Sequence, residues 1–328
     1  MRAWILSFIL VGVLALHHSY LGAQQTPKIH RIGYISGTGN ATNQGPYVEA
    51  LRQGLRELGY SEGKNYVIEY RGAEGQVERV ASLVEELVRL KVDLLVVPVF
   101  VRTAKQATTT IPIIMVSGID PVASGMVESF ARPGGNLTGI STLNQDLSGK
   151  RLGLLREVVP KLSRVGILLD RESSSASRVS LKEYEEAARL LKIESYPLDV
   201  QGPQPDLEPI FKTAAKLRIG GLITITNANL FVQQKRIAEL AIKNSFPSMF
   251  GGSAWVDSGG LMSYSTDEIS AFGRAATYVD KILKGSKPAD MPIERANKFE
   301  FVINLKTAKQ IGLDIPQSVL FRADRVIK

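Results

Sequence analysis

Lys28-Ile29-His30-Arg31-Ile32-Gly33-Tyr34-Ile35 returns, conservatively changed, as Lys161-Leu162-Ser163-Arg164-Val165-Gly166-Ile167-Leu168, an offset of 133 residues. Two further pairs follow in the same order. Asp93-Leu94-Leu95-Val96-Val97 matches Gly221-Leu222-Ile223-Thr224-Ile225 at an offset of 128, and Ile111-Pro112-Ile113-Ile114 matches Phe246-Pro247-Ser248-Met249 at an offset of 135. Each member is a short apolar run, the mark of a strand buried on both faces. Helical periodicity fills the gaps. Val48, Leu51, Leu55 and Leu58 share one face of a helix expected over Pro46–Leu58, with Gly59 as its stop, and Val80, Leu83, Val84 and Leu87 share a face of Gln76–Leu90. Further helices are expected at Ser177–Leu191, Asp206–Leu217 and Leu230–Asn244, and strands at Tyr66–Tyr70 and Ile113–Ser117. Alternating strands and helices, run through twice, predict an α/β protein of two similar Rossmann-like or flavodoxin-like lobes with parallel sheets.

Composition bounds what such a protein can do. The 328 residues carry no Cys, which removes disulfides, thiolate nucleophiles, Cys-ligated zinc and iron–sulfur clusters. Of three His, His17 and His18 lie in an apolar N-terminal segment, and His30 stands at the beginning of a strand. Neither a Ser-His-Asp constellation nor a spaced carboxylate pair is present, so no catalytic centre, cofactor or metal site is expected. Arg2 followed by the apolar run Ala3–Leu16, then Gly22-Ala23, has the layout of a signal peptide over residues 1–23. That run is shorter than the roughly 20 residues a spanning helix needs. The expected mature protein is therefore exported to the periplasm, with no cysteine for a lipid anchor. The net charge of +8 is dispersed, with Arg52 and Arg56 interleaved with Glu49 and Glu57, so nucleic acid is not an expected partner.

In open parallel sheets, ligands bind beyond the carboxyl ends of the strands. Two facing lobes bring their loops to one cleft: Ser36–Tyr47, Pro98–Thr103 and Gly118–Pro121 from the first, and Asp170–Ser175, Thr226–Asn229 and Gly251–Trp255 from the second. Ser36, Thr38 and Asn40 belong to a Gly-rich loop that departs from a dinucleotide fingerprint, since Thr42 replaces the third glycine and the helix starts only at Pro46. Its backbone N–H groups could still hold a small ligand. Asp120 reads as a helix cap or a contact for a ligand ammonium, and Asp170 as its counterpart in the second lobe. Arg102 and Arg171 would meet an anionic group; Ser173 and Ser174 would cap a helix or receive a carboxylate. Tyr47, Phe100 and Trp255 would either plug their lobes or stack on an apolar solute. Ser117, Asn227, Asn229 and Ser253 complete the candidate polar lining.

Six motifs together resemble the ABC-transporter substrate-binding protein family, the branch that includes tryptophan- and phenylalanine-type binding proteins. They are Gly59-Tyr60-x-Glu62-Gly63-Lys64-Asn65, Asp120-Pro121-Val122-x-x-Gly125, Ala131-Arg132-Pro133-Gly134-Gly135-Asn136-Leu137-Thr138-Gly139, Gly259-Gly260-Leu261-Met262-Ser263-Tyr264, Tyr278-Val279-Asp280-Lys281-Ile282-Leu283-Lys284-Gly285 and Phe299 to Ala308. The resemblance implies a type I periplasmic binding architecture with several crossovers. Residues 28–143 would form lobe 1 and 144–265 lobe 2, with 266–297 returning to lobe 1 and 298–328 crossing back to lobe 2. It implies a monomeric receptor that closes on an amino acid or carboxylate and presents it to an ABC permease and ATPase. Pro98-Val99-Phe100 and Asn227-Ala228-Asn229 depart from the Gly-Thr-Pro and the Asp that relatives often carry, so the resemblance carries over the transport class more firmly than amino-acid specificity. Two other readings stay open: an exported enzyme using carboxylates, and a ligand-sensing domain for a membrane sensor. A sugar-responsive regulator of the same fold would need a helix-turn-helix where the signal peptide stands.

Overall fold

The computed structural model describes residues 28–142, 147–170, 175–202 and 204–328, so the expected signal peptide, Arg171, Ser173 and Ser174 lie outside the described residues. The first sheet grows from β1 (His30–Ser36), α1 (Pro46–Glu57), β2 (Tyr66–Gly72), α2 (Val80–Arg89), β3 (Leu94–Val97), α3 (Val101–Ala107), β4 (Ile113–Ser117) and β5 (Leu137–Ser141). The second follows with α4 (Ser148–Val158), β6 (Arg164–Leu169), α5 (Ser175–Leu190), β7 (Glu194–Asp199), α6 (Leu207–Lys216), β8 (Gly221–Thr224), α7 (Ala228–Val232), α8 (Gln234–Lys243), β9 (Ser248–Phe250), α9 (Ser253–Asp257) and β10 (Met262–Thr266). Then come α10 (Glu268–Leu283), β11 (Glu294–Arg295), β12 (Phe299–Asn304), α11 (Leu305–Gln310), α12 (Gln317–Leu320) and β13 (Arg325–Ile327).

The sheets have orders β2-β1-β3-β4-β5-β11 and β7-β6-β8-β9-β10-β12-β13. Both open with the 2-1-3 winding of flavodoxin-like domains. The sequence repeat is thus a repeat of structure, with β1, β3 and β4 answering to β6, β8 and β9. Its shared glycine has a shared cause. A Cβ on Gly33 would come within 2.7 Å of Leu95, and one on Gly166 within 2.7 Å of Leu198, so each central strand leaves room for a leucine from a neighbouring strand. Helices cover both faces. Ile32, Tyr34, Leu94, Val96 and Ile114 pack under α1 on one side of the first sheet, while Ile35, Leu95, Val97 and Met115 pack under α2 and α3 on the other.

One departure from the expected parallel sheets lies at the C-terminal end. β12 runs antiparallel to β10, pairing Phe299 with Thr266 and Ile303 with Met262. The cause is where the chain re-enters. β10 ends, and β12 begins, at the crossing between sheets, where Asp267 N donates to Lys298 O at 2.9 Å; two strands sharing that end must run oppositely. Nearby, Ala296 N donates to Ser141 O at 2.9 Å, so the chain leaving β11 lies beside the end of β5. After the second crossing α10 docks on α1, where Gly54 is obligatory because a Cβ would stand 2.4 Å from Gly273 O. The helix expected over Leu230–Asn244 is broken at Gln233 into α7 and α8.

Candidate functional site

The carboxyl ends of β1, β3 and β4 face those of β6, β8 and β9, and the lobes touch there. A Cβ on Gly37 would lie 3.2 Å from the Phe100 ring and 3.3 Å from Val232 Cγ1 on α7 of the other lobe. Gln204 Nε2 donates to Glu78 Oε1 across the lobes at 3.0 Å. Phe100 heads α3 with φ of 44° and is 8 % exposed. A bulky residue in the left-handed region is an outlier that its surroundings must enforce. Its ring joins the core under β3, the plugging alternative of the two expected for it, and forms part of the cleft floor.

In the second lobe Asp170, at the end of β6, is buried, and its Oδ2 accepts from Asn229 Nδ2 at 3.2 Å. Asn227 caps α7, its Oδ1 accepting from Leu230 N at 2.8 Å, while its Nδ2 is buried with no hydrogen-bond partner. These three residues, spread over 59 positions, converge at one strand-end corner of the cleft. An amide donor left unsatisfied when buried costs about 1–3 kcal/mol, so it favours an incoming acceptor.

Other expected residues are committed elsewhere. Ser36 Oγ accepts from Gly39 N at 3.1 Å, and Asn40 Oδ1 accepts from Thr42 N and Asn43 N, folding the Gly-rich loop on itself with Thr38 exposed. Ser117 is buried at the end of β4, its carbonyl taken by Thr142 N. Arg102 is exposed on α3, 3.4 Å from Ser124 O. Asp120 caps a turn and not the helix expected, its Oδ1 accepting from Val122 N and Ala123 N, both at 2.9 Å. Asp120→Ala should therefore lower stability by about 1 kcal/mol in urea titrations and leave any solute affinity unchanged. A tenfold affinity loss without destabilisation would show the carboxylate serving a ligand instead.

Trp255 and Tyr47 also take the plugging alternative expected for them. Trp255 lies in α9, not in a cleft loop; it is 1 % exposed and stacks on Phe250 with ring centroids 4.9 Å apart, and Ser253 at the start of the same helix is buried too. The turn Gly251-Gly252 folds this helix back against its own lobe. Tyr47 belongs to the first turn of α1, stacked on Phe272 at 4.9 Å.

The Tyr47 hydroxyl donates to Glu268 Oε2, a residue the sequence did not single out. Glu268 begins α10 just after the second crossing, with Asp267 as its cap. Its carboxylate faces the second lobe: a Cβ on Gly252 would lie 3.7 Å from Oε2 and 3.8 Å from Oε1. Burial pushes the Glu268 carboxyl up to about 7, helped by the charges of Glu300 and Asp267 and opposed by the Tyr47 hydrogen bond. The available signal was an acidic pair directly after the strand ending at Thr266.

A family model described as ABC transporter substrate binding protein matches residues 41–327. The chain belongs to this family. A curated relative, the tyrosine-binding protein of Clostridioides difficile, is 26% identical over 263 residues, covering 79% of this chain and 74% of the relative. A conserved domain protein from Vibrio cholerae superposes with a TM-score of 0.77 at 25% identity, covering 91% of this chain and 100% of its own. An ABC domain from Streptococcus pneumonia, solved in complex with L-Trp, gives 0.76 at 25% identity over 92% and 100%. Family membership makes this a substrate-binding protein of two α/β lobes. No helix among the described residues is long and apolar enough to cross a membrane.

Proposed function

We propose that this family member is the non-catalytic periplasmic receptor of an ABC importer, exported by residues 1–23, and that its solute is an amino acid with an aromatic or apolar side chain. The observation that carries the reading is the meeting of an apolar wall, Phe100 with Val232, and a polar corner, Asp170 with Asn227 and Asn229, at the facing strand ends of two lobes. The names of the tyrosine-binding relative and the L-Trp-bound neighbour support the solute class.

Lobe 1 would comprise residues 28–143 and 266–297, and lobe 2 residues 144–265 and 298–328, moving on the three crossings. A solute touching both lobes binds the closed state better than the open one and so shifts the hinge equilibrium. Titration calorimetry of residues 24–328 against L-tyrosine, L-tryptophan, L-phenylalanine and benzoate tests it. The expected result is one amino acid with a Kd at or below about 1 μM, or roughly −8 kcal/mol. Heat from none of them overturns the assignment.

A further inference from the structure

We infer that Glu268 receives the ammonium group of the solute and makes the site select amines over their des-amino analogues. This rests on the receptor reading and names the chemical feature that the receptor demands.

A buried carboxylate needs hydrogen-bond donors for both oxygens or a cation beside it. Glu268 has the neutral Tyr47 hydroxyl on Oε2, and among the described residues no Lys, Arg or His forms an ion pair with it. Its charged neighbours repel: Asp267 precedes it and Glu300 approaches from β12. The cations nearby are engaged elsewhere, Arg325 by Asp257 and Glu300, and Arg151, beside Gly251, by Tyr264 O and the Tyr184 hydroxyl, so none of them is paired with Glu268. Ordinary ion pairs in this chain have their cation in place, as Asp257 and Glu300 have Arg325.

Location points to a solute cation and away from a purely structural role. Glu268 follows β10, whose carboxyl end opens on the cleft like those of β6, β8 and β9, and its two oxygens face the side-chain-free Gly252 of the opposite lobe. Its carboxylate is held in that direction. Tyr47 fixes Oε2, and Tyr47 is itself fixed by its stack on Phe272 from α10. A rigid, preorganised acceptor of one charge aimed across the cleft discriminates by presence or absence of a donor, because the wrong ligand leaves the carboxylate unpaired. An ammonium held there also lies at the lobe boundary, where its contacts favour closure.

The test is calorimetry at pH 8 with two matched pairs: L-tyrosine with 3-(4-hydroxyphenyl)propionate, and L-tryptophan with indole-3-propionate. Wild-type protein should prefer the amino acid of the pair it binds by about ten- to hundredfold, the effect of one charge-assisted hydrogen bond. Glu268→Gln should lose that preference while binding the des-amino compound within about threefold of wild type, since only the ammonium contact is gone. Three results overturn the inference: an unchanged preference in Glu268→Gln, an equal loss for both members of the pair, or loss of the preference in Asp170→Asn with Glu268→Gln unaffected. If wild-type protein binds none of the four compounds, the receptor reading itself fails and this inference with it. Binding with an unaltered preference removes the inference alone.

Discussion

Glu268→Gln should stabilise the protein by about 2 to 3 kcal/mol at pH 8 and by almost nothing at pH 4 when urea unfolding of the two proteins is compared at each pH. The sign follows from the direction of the shift. Burial raises the Glu268 carboxyl from an ordinary 4.5 to about 7 in the folded chain, so the folded state holds its proton more tightly than the unfolded state. Wild-type stability from this group is complete below about 4.5, is lost progressively as pH rises to about 7, and stays lost above it. Glutamine has no proton to lose and escapes that penalty. The groups that set the shift are Tyr47 from α1, Asp267 at the head of α10 and Glu300 from β12; Tyr34 of β1 feels the same carboxylate, and the Arg151 guanidinium of α4 stands beside Gly251 on the facing side. Equal effects at both pH values, or destabilisation at pH 8, would show that the carboxylate is satisfied within the fold. A residue that weakens the free protein at neutral pH and holds an amine in the loaded one is a stability cost retained for binding.

The parts of the molecule legible in the sequence are those set by local periodicity. β1, β3 and β4 and their counterparts β6, β8 and β9 could be found because a strand covered on both faces is apolar at consecutive positions, and α1 because Val48, Leu51 and Leu55 recur at helical spacing. Turn chemistry was legible too: Gly59 stops α1 at φ 86°, and Gly134 follows Pro133 at φ 78°. What the sequence withheld depends on distance along the chain. The direction of β12 is decided by the meeting of Thr266 and Phe299 at a crossing, which no window around either residue reveals. Glu268 acquires its character from Tyr47, 221 positions away, and from Gly252 of the opposite lobe. Of the expected cleft residues, Asp170, Asn227 and Asn229 converge, whereas Asp120 and Asn40 bind their own loops, a choice between equally short-range options that sequence alone left open.

Trp255 was misplaced for a different reason, and the misplacement gives the second large effect. The glycine pair Gly251-Gly252 reads as loop, and an aromatic residue three positions on reads as a loop aromatic; a five-residue helix is too short for periodicity to contradict this. Trp255→Ala should cost about 3 to 5 kcal/mol, the range for deleting a buried indole. The upper end is expected because the surroundings cannot collapse into the void: a Cβ on Gly260 would already stand 2.6 Å from the Phe250 ring and 2.8 Å from Trp255 O, so backbone and stacked ring are at contact before any relaxation. A fluorescence measurement separates the core role from a cleft role without any mutation. The chain's two tryptophans are Trp4, within the expected signal peptide, and Trp255, so residues 24–328 emit from Trp255 alone. In the folded protein its emission should be blue-shifted and shielded from acrylamide, and should gain access to the quencher only at the urea concentration that unfolds the second lobe. Quenching of the native protein that a bound amino acid suppresses would put the indole in the cleft. Shielding that is the same with and without solute, combined with the loss of stability in Trp255→Ala, assigns the indole to the core of the second lobe, stacked on Phe250, and not to solute stacking.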